Sequence, residues 1–198
     1  IIRDVHLSLE TRNIFRREGI RRNIQVKPEI VKIIGELMVS IKDEHILEPA
    51  ITYEIYPIDK INKQQLVLRQ ITLNGSLFTS ALQNATEIAA ILCTIGPKLE
   101  NKVTEFISEG EPLQGMLLDG IGSAAVDSLS QEACKIITGA ASSRGQQTSS
   151  PLSPGISGFP ITEQRQLFQL ISADKIGVRL SDSGVMVPLK SVSMIVGI

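Results

Sequence analysis

The chain has 198 residues, of which 42% are hydrophobic and 21% are charged. This composition is typical of a globular domain and excludes a disordered polyelectrolyte. With 20 Lys and Arg against 21 Asp and Glu, the net charge is −1, so no overall field attracts nucleic acid or an anionic membrane. Aromatic residues make up only 4% and Trp is absent, which argues against a base-stacking platform or a sugar-binding cleft.

The sequence also bears on where the protein works. No apolar run approaches the roughly 18–20 residues that span a bilayer, and no signal-peptide profile is present. Only two cysteines and two histidines occur, without a C-x-x-C pair or another close set of metal ligands. We therefore expect a cytoplasmic protein without a membrane partner, a nucleic-acid partner or a metal site.

The first 25 residues are rich in arginine, interleaved with apolar side chains. Their spacing predicts a short surface helix that ends at Gly19. The cationic face of that helix is interpreted either as a solvated surface or as a docking patch for an acidic partner. The arginines concerned are Arg12, Arg16, Arg17, Arg21 and Arg22.

The next elements follow from hydrophobic periodicity. Pro28 opens an amphipathic helix whose apolar residues recur every three or four positions up to Ile41. Alternating side chains at 51–57 and at 66–69 predict two half-buried antiparallel strands. A break at Gly75 then precedes a short helix at 77–82.

The run 87–96 is almost continuously apolar and ends at a glycine, which predicts a central strand buried on both faces. Two helices are predicted after it, one opening at Pro97 and a longer one from about 111 to 138. Residues 139–160 change abruptly to Ser, Gln, Thr, Gly and Pro, which predicts a loop with a mobile first half.

The last part of the chain completes a single domain. We predict a helix at 163–171 capped by Thr162, a hairpin at 178–187 and a final strand at 192–196. No internal repeat and no linker divides the chain. The prediction is one α+β domain over 1–198, with a central, largely antiparallel sheet flanked by helices.

Two local patterns have a structural and a chemical interpretation. Cys93 lies in the apolar run and is interpreted as a small buried hydrophobe, although sequence spacing leaves a hydrolase that pairs Cys93 with His45 as an alternative. The stretch 120–125 matches G-x-G-x-x-A, but it lies inside a helical pattern and lacks a downstream acid. Close helix packing explains those glycines better than nucleotide binding does.

The loop 151–160 is more informative about function. Two prolines and two glycines within eight residues fix an irregular backbone path. Such a loop can bare amide N–H groups to an anionic or zwitterionic ligand. The alternative is a rigid connector.

Three segments together resemble the activation (reactivation) domain of cobalamin-dependent methionine synthase, in a small stand-alone version. They are the strand end 93–96 with the helix stretch DGIGSAAVD at 119–127, the loop residues SPG and FP at 153–160, and the tail GVRLSDSGVMVPLKSVS at 177–193. The tail is the most specific, since its small, Met, Pro and Ser positions fall at the spacings of the family. The resemblance covers 85–198 well and the first half only in outline.

The resemblance implies an accessory role in which the cofactor carries the chemistry. In this family the domain holds S-adenosylmethionine against the corrinoid of a neighbouring domain, and an electron from a flavodoxin-type donor helps to restore methylcobalamin. For a stand-alone chain, the implied partner is a corrinoid-binding protein, or a methionine synthase that lacks its own activation domain.

The resemblance also maps a binding site onto this chain. In the family loop Arg-x-x-Pro-Gly-Tyr, the proline and glycine are matched here, but the Arg position is Pro151 and the Tyr position is Ile156. On the long helix, Asp127 keeps a carboxylate for a sulfonium or amino group, and Arg144 is near enough in sequence to replace the missing arginine. The implied S-adenosylmethionine-binding residues are Ser123, Asp127, Pro151, Ser153, Pro154, Gly155 and Ile156.

Two functional hypotheses follow. The first is an accessory protein that positions S-adenosylmethionine for reductive reactivation of a cobalamin-dependent methyltransferase. The second is an interaction module that caps or chaperones a corrinoid protein without binding S-adenosylmethionine. Neither requires a catalytic residue in this chain.

Overall fold

The computed structural model describes residues 1–9 and 27–198, so the arginine-rich helix predicted around Arg12 to Arg22 lies outside the described residues. In chain order, the elements are α1 (Pro28–Asp43), β1 (Ala50–Pro57), β2 (Lys60–Ile61), β3 (Gln65–Leu68), β4 (Ile71–Asn74), α2 (Phe78–Ala81), β5 (Glu87–Thr94), α3 (Lys98–Ser108), α4 (Pro112–Ser142), a 3-10 turn (Ile161–Glu163), α5 (Gln164–Phe168), a second 3-10 turn (Ala173–Ile176), β6 (Arg179–Leu180), β7 (Met186–Val187) and β8 (Ser191–Gly197).

The main sheet has the strand order β1-β5-β8, and both pairings are antiparallel. Its central strand, β5, is the predicted apolar run, and seven of its eight residues are buried. A second sheet, β2-β3-β4, and the hairpin β6-β7 are also antiparallel. The predicted α+β class with a largely antiparallel sheet flanked by helices is confirmed.

Because successive strand side chains point to opposite faces, β5 contributes to two cores. Ala89, Ile91 and Cys93 pack in a first core with α1 and α4. Ile88, Ala90 and Leu92 pack in a second core that contains β3, β4, Phe159 and part of α5. The two faces of one strand therefore hold the two halves of the molecule together.

Several predicted boundaries need correction. Helix α4 continues to Ser142, so the segment predicted as a loop from 139 begins inside the helix, where Ala141 is fully buried. The later part of that segment runs beside β8, because Leu152 and Ile195 exchange two backbone hydrogen bonds of 2.9 Å. This pairing adds a short strand-like segment to the edge of the sheet.

The helix predicted at 163–171 is shorter than expected and starts differently. It consists of a 3-10 turn followed by the five-residue α5, and Thr162 makes no capping hydrogen bond. The Glu163 carboxylate instead accepts a hydrogen bond of 2.8 Å from the backbone N–H of Asn74. A tertiary contact to β4 therefore replaces the predicted helix cap.

Candidate functional site

The proline–glycine loop is closed by its own hydrogen bonds. The Gly155 N–H donates to the Phe159 carbonyl at 2.8 Å, and the Phe159 N–H donates to the Ile156 carbonyl at 3.0 Å. The Ile156 N–H donates to the Ser153 carbonyl at 3.3 Å. Three amides that the sequence suggested as ligand donors are therefore already paired inside the loop.

Phe159 anchors this loop to the second core. Its ring is fully buried and meets the edge of Phe78 with centroids 5.0 Å apart and planes at 72°. Gly155 adopts a left-handed φ of +102°, which a side chain at this position would disfavour. The loop is thus a defined, rigid turn, with Pro151 and Ile156 on its exposed side.

Arg144, the candidate replacement for the arginine of the family loop, forms an ion pair with Glu87. An Arg144 nitrogen lies 3.0 Å from a carboxylate oxygen of Glu87, at the first residue of β5. This ion pair fixes Arg144 beside the sheet, so the cation is already compensated.

On the helix side, Ser123 belongs to a polar cluster that the sequence did not predict. The Lys190 ammonium lies 2.9 Å from Asp119 Oδ1 and donates to Ser123 Oγ at 2.9 Å. The Lys190 side chain is only 16% exposed, and its Cε lies close to Gly122 of α4. In the sequence, Lys190 stands out only because it lies inside the tail motif. The motif does not indicate which helix the Lys190 side chain contacts.

The glycine motif inside α4 serves close packing, as predicted. A Cβ on Gly122 would lie 2.6 Å from a methyl group of Leu99 and 3.3 Å from Lys190 Cε. Only a glycine lets α3 and the Lys190 stem approach the helix this closely.

Asp127 and the loop are anchored on opposite faces of the main sheet. Asp127 lies on α4 one turn beyond Ser123, is half-buried, and accepts a hydrogen bond of 2.8 Å from Ser130 Oγ through its carbonyl. Helix α4 packs in the first core, whereas Phe159 and Leu152 pack in the second. Asp127 and the loop are therefore attached to different cores of the molecule.

These residues do not fit S-adenosylmethionine in the way that the resemblance implies. The loop has no arginine for the ligand carboxylate, and three of its amides are already paired. No reaction step is therefore assigned to an S-adenosylmethionine molecule held by this loop.

The remaining candidate chemistry is limited by burial. Cys93 is fully buried, and burial raises the pKa of its thiol far above the usual range, which is inconsistent with a nucleophile paired with His45. Within residues 1–9 and 27–198, no three His, Cys, Asp or Glu side chains are grouped so that they could hold a metal ion. None of the helices in those residues is both long and apolar enough to cross a membrane.

No family model and no curated protein matches this sequence. Among solved structures, the chain is similar to a crystal structure of the MetH reactivation domain bound to AdoHcy, with a TM-score of 0.75. The sequences are 14% identical, and the match covers 94% of this chain and 74% of that chain. The chain has the fold of the MetH reactivation domain.

Proposed function

We propose that this protein is an accessory domain that docks on a separate corrinoid-carrying methyltransferase. The observation that carries the proposal is the fold match, which extends over 94% of the chain. The described residues contain no catalytic constellation, which suits a protein that binds and positions a partner.

The proposal has two versions, and we favour the one in which the chain does not bind S-adenosylmethionine. In this version the chain caps or chaperones the corrinoid protein. Its support is the loop itself, where Pro151 and Ile156 replace the ligand-gripping side chains and the Gly155 amide is paired internally. The Arg144–Glu87 ion pair removes the nearest substitute cation.

The second version is reductive reactivation, in which the chain positions S-adenosylmethionine against the corrinoid. It is supported by the solved neighbour, whose reactivation domain is bound to AdoHcy. In that version the chain would supply proximity and a water-poor setting, while the corrinoid and a flavodoxin-type donor would supply the chemistry.

Calorimetry separates the versions. The chain is titrated with S-adenosylmethionine alone, and again with a cobalamin-loaded methionine synthase fragment that lacks its own reactivation domain. The favoured version expects complex formation with the fragment and no heat from S-adenosylmethionine in either condition. Failure to form a complex with this fragment, or with a corrinoid methyltransferase encoded beside this protein, would contradict the proposed function.

Restoring the family residues gives a sharper test. The double variant Pro151→Arg, Ile156→Tyr adds a guanidinium that can pair bidentately with a carboxylate, a contact worth about 1.5–3 kcal/mol. Binding in this variant, but not in the matched control Ser150→Arg, Ile156→Tyr, would show that a pocket survives and has lost only its side chains. A flat titration in both would support an interaction module that does not bind S-adenosylmethionine.

A further inference from the structure

A cleft of about 520 Å³ opens at the carboxyl end of β5, away from the loop and from Asp127. Polar and apolar surface line it in similar amounts, and Pro49, Pro97, Ile176 and Pro188 supply the apolar side chains. Its charged lining residues are Arg3 and Glu48, one of each sign. The volume falls within the range of small-molecule sites, which are mostly apolar with a few placed polar groups.

The two charges differ in how they are compensated. Glu48 Oε1 lies 2.9 Å from the Lys98 ammonium, so its charge is neutralised at the rim of the cleft. The Arg3 guanidinium donates a hydrogen bond of 3.0 Å to the Lys175 carbonyl, and no carboxylate of the described residues lies within ion-pair distance of it. Since a guanidinium has five N–H donors, most of them are available to a ligand.

The cleft is held open by backbone geometry. Ile2 and Ile51 exchange two backbone hydrogen bonds of 2.9 Å, which fixes the chain next to Arg3 against β1. Gly96 and Gly177 adopt left-handed φ angles of +78° and +72° on the cleft wall. These bonds and turns define the backbone path around Arg3 and along the cleft wall.

We propose that this cleft binds the carboxylate group of a small molecule whose remainder is apolar, with Arg3 as the carboxylate partner. A guanidinium with no ion-pair partner among residues 1–9 and 27–198 favours an anionic group, and its planar fork matches a carboxylate bidentately. The proline and isoleucine wall accepts the apolar part. The lining of this cleft shares no residue with the 151–160 loop or with the cluster of Asp119, Ser123 and Lys190.

The test titrates the complete chain with sodium hexanoate. Binding is detected by ¹⁵N-edited NMR. Saturable shifts are expected at the amides of Gly96 and Gly177. Acetate, which lacks the apolar part, and 1-hexanol, which lacks the charge, should each bind more weakly, and hexylamine should not bind. Equal binding of hexanoate and hexylamine, or no saturation with hexanoate at tens of millimolar, would overturn the proposal.

Variants then test the role of Arg3. Arg3→Gln should raise the dissociation constant for hexanoate about tenfold or more, as expected for loss of a charge-assisted hydrogen bond. The matched control is Arg165→Gln, because that guanidinium also donates to a backbone carbonyl, that of Asp182, away from this cleft. Unchanged affinity in Arg3→Gln would contradict the assignment.

A second variant does not depend on the anchoring of the N-terminal residues. Glu48→Gln removes the negative charge on the cleft and releases Lys98, so it should lower the dissociation constant for hexanoate. Circular dichroism checks that each variant keeps its fold. Weaker binding of hexanoate to a folded Glu48→Gln variant would also count against an anion site here.

Discussion

At the scale of single residues, glycines in this chain differ in what surrounds them. A Cβ on Gly75 would lie 2.6 Å from the carbonyl oxygen of Gly158 and 2.9 Å from the Phe78 ring. A Cβ on Gly35, inside α1, would meet nothing within 4 Å. Gly75 therefore allows the 151–160 loop to sit against the second core, whereas Gly35 has no such packing role.

We expect Gly75→Ala to destabilise the protein by about 1–3 kcal/mol, because backbone atoms cannot move aside cheaply. Gly35→Ala should stabilise it by about 0.5–1 kcal/mol, since alanine has the better helix propensity. Urea unfolding of both variants measures the difference. Equal stability of Gly75→Ala and the wild type would mean that the loop is not seated as described.

A second residue-scale prediction concerns Cys93 and pH. Burial raises the pKa of its thiol in the folded state, and the neighbouring Cys134 adds to that rise. The unfolded chain loses this proton near the ordinary thiol pKa of about 8.5, while the folded chain keeps it. The resulting stabilisation is therefore complete below about pH 8.5 and is lost progressively as the pH rises.

The comparison with Cys93→Ala isolates this contribution. Above about pH 9, the free energy of unfolding of the wild type should fall more steeply than that of the variant, by up to about 1.4 kcal/mol per pH unit. Urea unfolding between pH 7 and pH 10 measures both slopes. Parallel curves would show that the Cys93 thiol titrates normally in the folded protein.

Individual site residues could be named from the sequence only through the resemblance. The GxGxxA stretch was correctly assigned to helix packing, because helical periodicity around it is a local property. The Lys190–Ser123 hydrogen bond joins residues 67 positions apart, and no local pattern encodes such a contact. Likewise, the Arg144–Glu87 ion pair could not be predicted. The composition of 139–160 predicted a loop, and a loop prediction does not say where the Arg144 side chain lies.

At the scale of elements, the 151–160 loop behaves as a packed unit. Phe159→Ala removes the ring that meets Phe78 in the second core and should cost about 3–5 kcal/mol, with faster hydrogen exchange at the Gly155 amide. Ile156 is 43% exposed on the same loop, so Ile156→Ala should stay within about 0.5 kcal/mol of the wild type. Equal effects of the two substitutions would show that the loop is not anchored through Phe159.

Long periodic or continuously apolar elements were predicted well, and so were the short helix at 77–82 and the hairpin at 178–187. The elements that were missed or misplaced depend on distant partners. Helix α1 and strand β5 carry their own pattern, 3.6-residue periodicity in one and uninterrupted apolar character in the other. The 149–152 edge segment and the start of α5 depend on partners elsewhere, such as Ile195 and Asn74. Their conformations are therefore set by tertiary contacts that override local propensity.

At the scale of the whole molecule, the fold places fewer demands on the sequence than a ligand site does. The chain has the architecture of a reactivation domain across 94% of its length at 14% identity. That architecture needs apolar patterning and a few glycines, whereas the S-adenosylmethionine site implied by the resemblance needs particular side chains at 151 and 156. The proposed docking module needs the fold and not those two side chains.

The two cores share strand β5, which decides how the molecule unfolds. Residues on its two faces belong to different cores, so neither core can lose its packing while β5 stays in place for the other. We therefore expect one cooperative transition in calorimetry, with equal calorimetric and van't Hoff enthalpies. Leu129→Ala in the first core and Leu66→Ala in the second should each cost about 2–5 kcal/mol and shift the whole transition. Two separate transitions, with each variant shifting only one, would mean that the cores are independent domains joined by a common strand.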